Sequence, residues 1–169
     1  TEEIKTLPGI FRYTVDKAIL HIKDAKKLGI KMVALFPVVP KEKKSANAEE
    51  AYNKENLICR AIKEIKFAVP DIGIMADVAL DPYTPHGHDG ILVNNYVDND
   101  QTIEILCAQS LTLAKAGADV IAPSDMMDGR VFGIREVLES EGFVNTQIMS
   151  YAVKYASCFY GPFREAVGS

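Results

Sequence analysis

Residues 31–39 read Lys-Met-Val-Ala-Leu-Phe-Pro-Val-Val, an almost unbroken apolar segment. The segment is too short for a globular helix, and its continuous apolar character predicts a β-strand buried on both faces. The preceding residues 14–28 place apolar side chains at helical spacing, with Thr14 as the expected N-cap and Gly29 as the expected stop. Together the two segments predict a helix followed by a buried strand.

The same helix-strand unit recurs three times. Helices are predicted over residues 48–68, 99–116 and 130–140, and strands over residues 72–80, 118–123 and 146–151. Because parallel neighbours need a crossover connection, this alternation indicates an α/β protein with a parallel sheet. A doubly wound open sheet and a segment of a (β/α)8 TIM barrel both fit. No GxGxxG or GxxxxGK[ST] motif marks an open nucleotide-binding sheet, yet the chain has only about half the eight strands of a complete barrel.

The composition is that of an ordinary globular domain. Of the 169 residues, 48% are hydrophobic and 25% charged, which argues against disordered or fibrous classes. The net charge of −4 leaves no basic footprint for nucleic acid, and no apolar run is long enough to cross a membrane. The cysteines Cys59, Cys107 and Cys158 have no CxxC spacing, so neither a disulfide framework nor a structural zinc site is indicated. A cytoplasmic location is expected.

Reactive side chains cluster where the predicted strands end. The clusters are Asp77, Asp81, His86, His88 and Asp89; then Ser124, Asp125, Asp128 and Arg130; and finally Ser150, Tyr151 and Lys154. Parallel α/β proteins place their chemistry at these carboxyl ends. The alternative is that the aspartates and serines are turn formers and helix caps.

Asp77 and Asp81 are an even number of residues apart, so their carboxylates share one face while the chain remains extended. With the neighbouring imidazoles they suit a bound cation or proton management through mutually raised pKa values. The alternative is a plain Asp81-Pro82 turn with solvated histidines.

Lys154 follows an apolar strand, where partial burial disfavours the ammonium. A neutral lysine amine attacks a ketone to form a Schiff base, whereas the alternative is a lysine that extends past the rim into solvent. Arg164 and Arg130 suit a substrate carboxylate, although surface salt bridges explain most arginines. These residues predict a lysine-dependent α/β enzyme acting on a small carboxylated carbonyl compound.

Six segments resemble motifs of one enzyme family, porphobilinogen synthase, also called 5-aminolaevulinate dehydratase. They are Leu-Pro-Gly-Ile-Phe-Arg-Tyr (7–13), Ala-Leu-Phe-Pro-Val (34–38), Asp-Val-Ala-Leu-Asp-Pro-Tyr-Thr-Pro-His-Gly-His-Asp-Gly (77–90), Ala-Pro-Ser-Asp-Met-Met-Asp-Gly-Arg (122–130), Met-Ser-Tyr-Ala-Val-Lys-Tyr-Ala-Ser (149–157) and Phe-Tyr-Gly-Pro-Phe-Arg-Glu (159–165). The segments span the chain in the family's order. The resemblance implies a (β/α)8 barrel, usually a homo-octamer, that condenses two 5-aminolaevulinate molecules into porphobilinogen with loss of two waters, in tetrapyrrole and haem biosynthesis.

The resemblance also implies roles for individual residues. Lys154 matches the lysine that forms a Schiff base with the A-side substrate, and Arg164 matches an arginine that contacts its carboxylate. Ser124 matches a substrate-pocket serine, and Asp77 matches an aspartate associated with proton transfer. Further expected substrate contacts are Asp81, Asp89, Tyr151 and Phe163.

The loop after the predicted 72–80 strand distinguishes metal types within the family. Zinc-dependent members have cysteines where this chain has Ala79, Asp81 and Asp89. Carboxylates suit Mg²⁺ or a monovalent ion, so the chain resembles the aspartate-rich, magnesium-responsive branch. We expect a hydrated cation at Asp81 and Asp89, an allosteric magnesium site outside this segment, and no catalytic zinc.

The chain departs from the family pattern in extent. The second active-site lysine, in a Met-Val-Lys-Pro segment, is not among residues 1–169, nor are the N-terminal arm, the first strand and the C-terminal half of the barrel. Residues 1–169 are therefore expected to form one domain, a partial barrel that is inactive alone. The alternatives are another Schiff-base aldolase-type barrel enzyme and a non-catalytic half-barrel.

Overall fold

A parallel sheet of four strands organises the chain in the computed structural model, which describes residues 1–155 and 157–168. The strands are β1 (Glu2–Glu3), β2 (Phe11–Arg12), β3 (Met32–Leu35), β4 (Gly73–Val78), β5 (Ile91–Val93), β6 (Tyr96–Asp98), β7 (Val120–Pro123) and β8 (Gln147–Ile148). The helices are α1 (Val15–Lys27), α2 (Leu57–Ala68), α3 (Asn99–Ala116), α4 (Arg130–Ser140) and α5 (Tyr160–Val167). Strand order in the parallel sheet is β3-β4-β7-β8, and two separate antiparallel pairs join β1 to β2 and β5 to β6.

The four predicted helices are confirmed, with α3 and α4 at the expected bounds. Helix α2 starts later than predicted, because Glu49–Tyr52 forms a separate 3-10 turn. The Asn56 side chain caps α2 by accepting a hydrogen bond from Cys59 N at 2.8 Å. Gly117, with φ of 112°, ends α3 in the left-handed conformation that glycine adopts without steric cost. Local capping chemistry therefore sets the helix boundaries.

The hydrophobic core lies on one face of the sheet. Along β4, Ile74 and Ala76 are fully buried, whereas Met75 and Asp77 on the opposite face are half-buried. Ile74 and Ala76 pack in one core with residues from each of α1 to α4, including Ile62 and Leu113. Helices α1 to α4 therefore cover the same face of the sheet, as in a barrel wall, rather than being divided between both faces as in a doubly wound sheet. The described residues form an open sheet and no closed barrel.

The prediction that residues 31–39 form a strand buried on both faces is wrong. Strand β3 covers only Met32–Leu35; Met32 is 37% exposed and Val33 is half-buried. Two causes act together: among the described residues β3 is an end strand of the sheet that pairs with β4, and its second face points away from α1 to α4. The predicted 146–151 strand is likewise reduced to Gln147–Ile148.

Three elements of the structure were not predicted. The hairpin β5–β6 turns through Asn94 and Asn95, whose φ angles of 53° and 62° are the positive values that a tight two-residue hairpin turn needs. The other two are the β1–β2 pair and helix α5. No helix among the described residues is long and apolar enough to cross a membrane.

Candidate active site

A cavity of about 400 Å³ lies at the carboxyl ends of the parallel strands. Its walls come from β4, from the segments that follow each of the four strands, and from α5. The lining residues are Phe36, Pro37, Asp77, Asp81, Pro82, Gly87, His88, Asp89, Ser124, Tyr151, Val153, Lys154, Tyr160, Phe163, Arg164 and Val167. The cavity mixes aromatic walls with a few converging charged groups, as substrate pockets do.

Lys154 extends into this cavity from the segment after β8. Its Nζ donates a hydrogen bond to the carbonyl oxygen of Ser124 at 3.0 Å and lies 3.7 Å from Asp89 Oδ2. The Lys154 side chain is 39% exposed, so it is less buried than the sequence predicted. The amine is therefore held by two oxygen contacts rather than by burial.

Asp89 is held on both sides. Its Oδ1 accepts a hydrogen bond from Leu80 N at 3.0 Å, and its Oδ2 faces the ammonium of Lys154. The surrounding loop is tied back by Thr84, whose hydroxyl donates to the carbonyl oxygen of His88 at 3.1 Å. Asp89 therefore occupies the position of a counter-ion to Lys154.

Asp77 is an acid of the cavity with a strongly raised pKa. Burial raises its pKa to about 7; the carboxylates of Asp81 and Asp89 add to the rise, while Ser124 and Lys154 partly offset it. Its Oδ1 is shielded from solvent and makes no hydrogen bond within the described chain. A carboxyl with such a pKa is partly protonated at neutral pH, so it is fit both to donate and to accept a proton.

Asp77 and Asp81 line the same cavity, but the backbone between them is not the extended strand that was predicted. Strand β4 ends at Val78, Leu80 adopts a helical backbone conformation, and Asp81 begins the 3-10 turn Asp81–Tyr83. The extended chain thus stops before Asp81, and the Asp81-Pro82 turn does form. Both carboxylates nevertheless line the same cavity.

Helix α5 brings Arg164 and Phe163 to the cavity. Phe163 packs edge-on against Phe36 with ring centroids 5.3 Å apart. Arg12 in β2 donates from Nε to the carbonyl oxygen of Ala166 at 2.9 Å and from Nη2 to that of Glu165. The N-terminal strand pair therefore anchors the helix that carries Arg164.

The structure places all eight predicted catalytic and substrate-binding residues on this one cavity. They are Asp77, Asp81, Asp89, Ser124, Tyr151, Lys154, Phe163 and Arg164, and their individual roles stay predictions. Ala156, which belongs to a quoted family motif, lies outside the described residues.

Several strand-end candidates lie elsewhere. The residues of the three clusters that do not line the cavity are His86, Asp125, Asp128, Arg130 and Ser150. The suggested role of Arg130 as a carboxylate ligand is not supported, because its guanidinium contacts Asp125, Met127, Ser150 and Tyr151 instead. His86 Nδ1 accepts from His88 N, so this imidazole contributes to the loop rather than to the cavity wall.

Sequence reasoning missed the apolar side of the cavity. The residues concerned are Phe36, Pro37, Val153, Tyr160 and Val167. Phe36 and Pro37 directly follow β3. Their position at the carboxyl end of a strand was the available signal, although their side chains are apolar. Val167 belongs to α5, a helix without a clear sequence signal.

The cavity does not contain a preformed metal cage. Among the described residues, no group of three His, Cys, Asp or Glu side chains converges to hold an ion. Asp89, one of the two expected ligands, already contacts Leu80 N and Lys154 Nζ. A cation at Asp81 and Asp89 would therefore have to compete with the Lys154 ammonium for Asp89.

A family profile described as "ALAD: Delta-aminolevulinic acid dehydratase" matches residues 1–169. The chain belongs to this family. It is 50% identical over 168 residues to the delta-aminolevulinic acid dehydratase of Bradyrhizobium diazoefficiens, covering 99% of this chain and 48% of that relative. It is 47% identical over 168 residues to the delta-aminolevulinic acid dehydratase of Chlamydia pneumoniae, covering 99% of this chain and 51% of that relative.

A solved delta-aminolevulinic acid dehydratase has the same fold over this region. The crystal structure of the Toxoplasma gondii enzyme, in complex with the reaction product porphobilinogen, matches with a TM-score of 0.97 and 49% identity. The match covers 99% of this chain and 48% of that one. The chain thus spans about half the length of the relatives it matches, and its parallel α/β architecture is that of the family.

Proposed function

We propose that the chain forms the part of a porphobilinogen synthase active site that captures one 5-aminolaevulinate molecule through a Schiff base at Lys154. One observation carries the proposal: the Lys154 amine enters the same cavity as Asp77, whose pKa burial raises to about 7. An amine nucleophile beside a proton donor and acceptor is the pairing that Schiff-base formation needs. The Toxoplasma gondii relative, in complex with porphobilinogen, supports the assignment of substrate class.

The proposed reaction begins with loss of a proton from the Lys154 ammonium. The nitrogen lone pair then attacks the substrate ketone carbon to give a carbinolamine, whose hydroxyl leaves as water once it is protonated. Asp77, partly ionised at neutral pH, accepts the proton lost by the ammonium and returns it to the carbinolamine hydroxyl, while a second nitrogen proton passes to the former ketone oxygen, so both hydrogens of the water come from the lysine. Asp89, 3.7 Å from the amine, stabilises the positive charge of the protonated Schiff base.

The substrate carboxylate is proposed to lie against Arg164. The guanidinium of Arg164 lines the cavity on α5, and its fork geometry suits two parallel hydrogen bonds to a carboxylate. The rings of Phe163 and Tyr151 form neighbouring walls and exclude water from one side of the carbon chain. Arg164 and Lys154 would then hold the substrate at its carboxylate and at its ketone carbon.

Response to magnesium is a separate proposal. Where zinc-dependent family members have three cysteines, this chain offers two carboxylates, Asp81 and Asp89, and at Ala79 no ligand, which supports Mg²⁺ or a monovalent ion over zinc. Comparing the thermal midpoint with and without millimolar Mg²⁺, for wild type and for Asp81→Asn, tests it. A midpoint that Mg²⁺ raises equally in both proteins would place the ion elsewhere.

We also propose that this stretch alone captures substrate without completing the condensation. Its 169 residues contain no Met-Val-Lys-Pro segment, and two bound substrates need two sets of anchoring groups. Porphobilinogen formed by the purified 169-residue chain would contradict this. Homo-octamer assembly remains an expectation for the full-length family.

Borohydride trapping tests the central proposal. The chain is incubated with 5-aminolaevulinate and borohydride, its intact mass is measured, and the modified lysine is located by peptide mapping. One reduced adduct at Lys154 is expected, and Lys154→Met should abolish it while leaving the fold intact, because methionine fills a similar volume without an amine. The exposed Lys115, which pairs with Glu141 far from the cavity, serves as the matched control in Lys115→Met. Equal labelling of both lysines, or an adduct that persists in Lys154→Met, would overturn the assignment.

A further inference from the structure

Asp125 and Arg130 form a buried charged pair beside the cavity. The Asp125 side chain has no solvent exposure and that of Arg130 is 15% exposed. Asp125 Oδ2 accepts a hydrogen bond from Met127 N at 2.8 Å, and Oδ1 lies 3.2 Å from Arg130 Nε, without the alignment of a hydrogen bond. The pair therefore fixes the turn between β7 and α4.

Arg130 also joins that turn to the segment that carries Lys154. Its Nη1 donates to the carbonyl oxygen of Met127 at 2.9 Å, and its Nη2 lies 3.3 Å from Ser150 Oγ and 3.4 Å from the carbonyl oxygen of Tyr151. Lys154 comes three residues after Tyr151 and donates back to Ser124, the neighbour of Asp125. The contacts thus form a closed ring that runs from the turn to the lysine and back.

The Asp125–Arg130 pair is not well explained by a contribution to folding stability alone. Burial raises the pKa of Asp125 to about 6, although Met127 N and Arg130 partly offset the cost of its charge. Replacing buried ion pairs by packed apolar residues is often neutral or stabilising, so stability is a weak explanation for this pair.

We propose that the Asp125–Arg130 pair positions Lys154 for ketone capture, by holding the Ser124 carbonyl and the Tyr151 backbone at a fixed separation. This rests on the proposed function of Lys154. Neither Asp125 nor Arg130 touches the cavity, so both act through the segments they hold, and Lys154 remains the group that reacts.

Arg135 is a matched control within the same helix. Its Nη1 donates to the carbonyl oxygen of Thr146 at 2.7 Å, its Nη2 to that of Phe143 at 3.0 Å, and its Nε lies 3.0 Å from Glu139. Like Arg130, it ties α4 to the chain around β8, but on the amino-terminal side of that strand and away from the cavity. Arg135→Gln therefore removes comparable contacts without releasing the Lys154 segment.

The first measurement is the initial rate of borohydride-trapped adduct at Lys154 as a function of 5-aminolaevulinate concentration. In Arg130→Gln the maximal rate should fall about tenfold or more, since small misplacements of a reacting group cost that much. The half-saturating concentration should change little, because Arg164 and the cavity walls remain. Arg130→Lys should restore only part of the rate, since an ammonium lacks the planar fork. The double variant Asp125→Asn, Arg130→Gln removes both charges and avoids a lone buried carboxylate, and it should behave like Arg130→Gln.

Wild-type capture rates in Arg130→Gln and the double variant would overturn the positioning role. An equal rate loss in Arg135→Gln would overturn it too, because the effect would then follow from general loosening of α4.

A second measurement does not depend on ketone chemistry. Competitive acetylation by acetic anhydride, read by peptide mass spectrometry, gives the reactivity of Lys154 relative to Lys115. In Arg130→Gln the Lys154 amine should lose its hydrogen bond to the Ser124 carbonyl, and this ratio should rise about fivefold, the effect of one lost hydrogen bond. In Arg135→Gln the ratio should stay unchanged. If wild type captures no ketone, the proposed function fails, and this ratio alone decides whether the pair positions Lys154. An unchanged ratio in Arg130→Gln would refute the positioning.

Discussion

Asp77→Asn should change how the stability of the protein depends on pH. Burial moves the pKa of Asp77 from its ordinary 3.8 to about 7, a difference of about 3 pH units. At 1.36 kcal/mol per unit, ionised Asp77 therefore costs the folded state about 4 kcal/mol, an upper figure because water entering the open cavity relieves part of it. Asparagine has the shape of the protonated acid and never ionises, so this cost is absent from the variant.

The sign of the effect follows from proton binding. Between pH 4 and pH 7 the folded state keeps the Asp77 proton while the unfolded chain has lost it. Folded wild type therefore loses stability as the pH rises through this interval, and the loss is complete above pH 7. Relative to wild type, Asp77→Asn should gain stability from pH 4 to pH 8, by up to about 4 kcal/mol.

Urea denaturation of both proteins at pH 4, 5, 6, 7 and 8 measures this difference, provided that the two urea slopes agree. The control is Asp71→Asn, an exposed aspartate just before β4 whose pKa is lowered by its hydrogen bond with Lys26. That variant should show no gain with rising pH. A difference between wild type and Asp77→Asn that stays flat across the range would refute the reasoning about burial.

Two further variants test local features of the fold. Asn56→Ala should cost about 2 kcal/mol, since it removes the α2 cap and the hydrogen bonds to Glu50 and Ala51, whereas Thr14→Ala at the uncapped start of α1 should cost less than about 0.5 kcal/mol; chemical denaturation compares the two. Gly90→Ala should destabilise by about 2 kcal/mol or more, because its new Cβ would lie 2.5 Å from Val97 Cγ1 and 2.9 Å from Thr102 Oγ1. Its thermal midpoint would fall by several degrees, and an unchanged midpoint would contradict the close packing.

The helices were predictable from sequence because their determinants are local. Apolar spacing and a terminal glycine define α3, and both lie within the segment itself. The hairpin β5–β6 also has a local signal, since Asn94-Asn95 lies between two short apolar runs. Helix α5 is different, since Arg12, far away in the chain, holds its last turn.

The strands were harder, because strand burial depends on neighbours. Residues 31–39 carry an apolar pattern suited to a central strand, yet β3 has β4 on one side and an open second face. No pattern within nine residues records whether a sheet continues beyond its edge. The length and burial of β3 and β8 were therefore overestimated.

The site shows the same division. Sequence alone identified Lys154, Asp77, Asp89 and Arg164 as candidates, because strand ends and family motifs are readable from residue types and their order. Residue type and position along the chain left Arg164 and Arg130 as equal candidates, and only the family resemblance favoured Arg164.

Tertiary structure alone decided which of these side chains meet. Arg164 reaches the cavity because α5 folds back over the strand ends, whereas Arg130 is held by Asp125 and Tyr151 outside it. The raised pKa of Asp77 likewise depends on burial beneath residues distant in the chain. Residue identity sets what a group can do chemically, but its distances to other groups and its contact with water arise only when remote segments pack together.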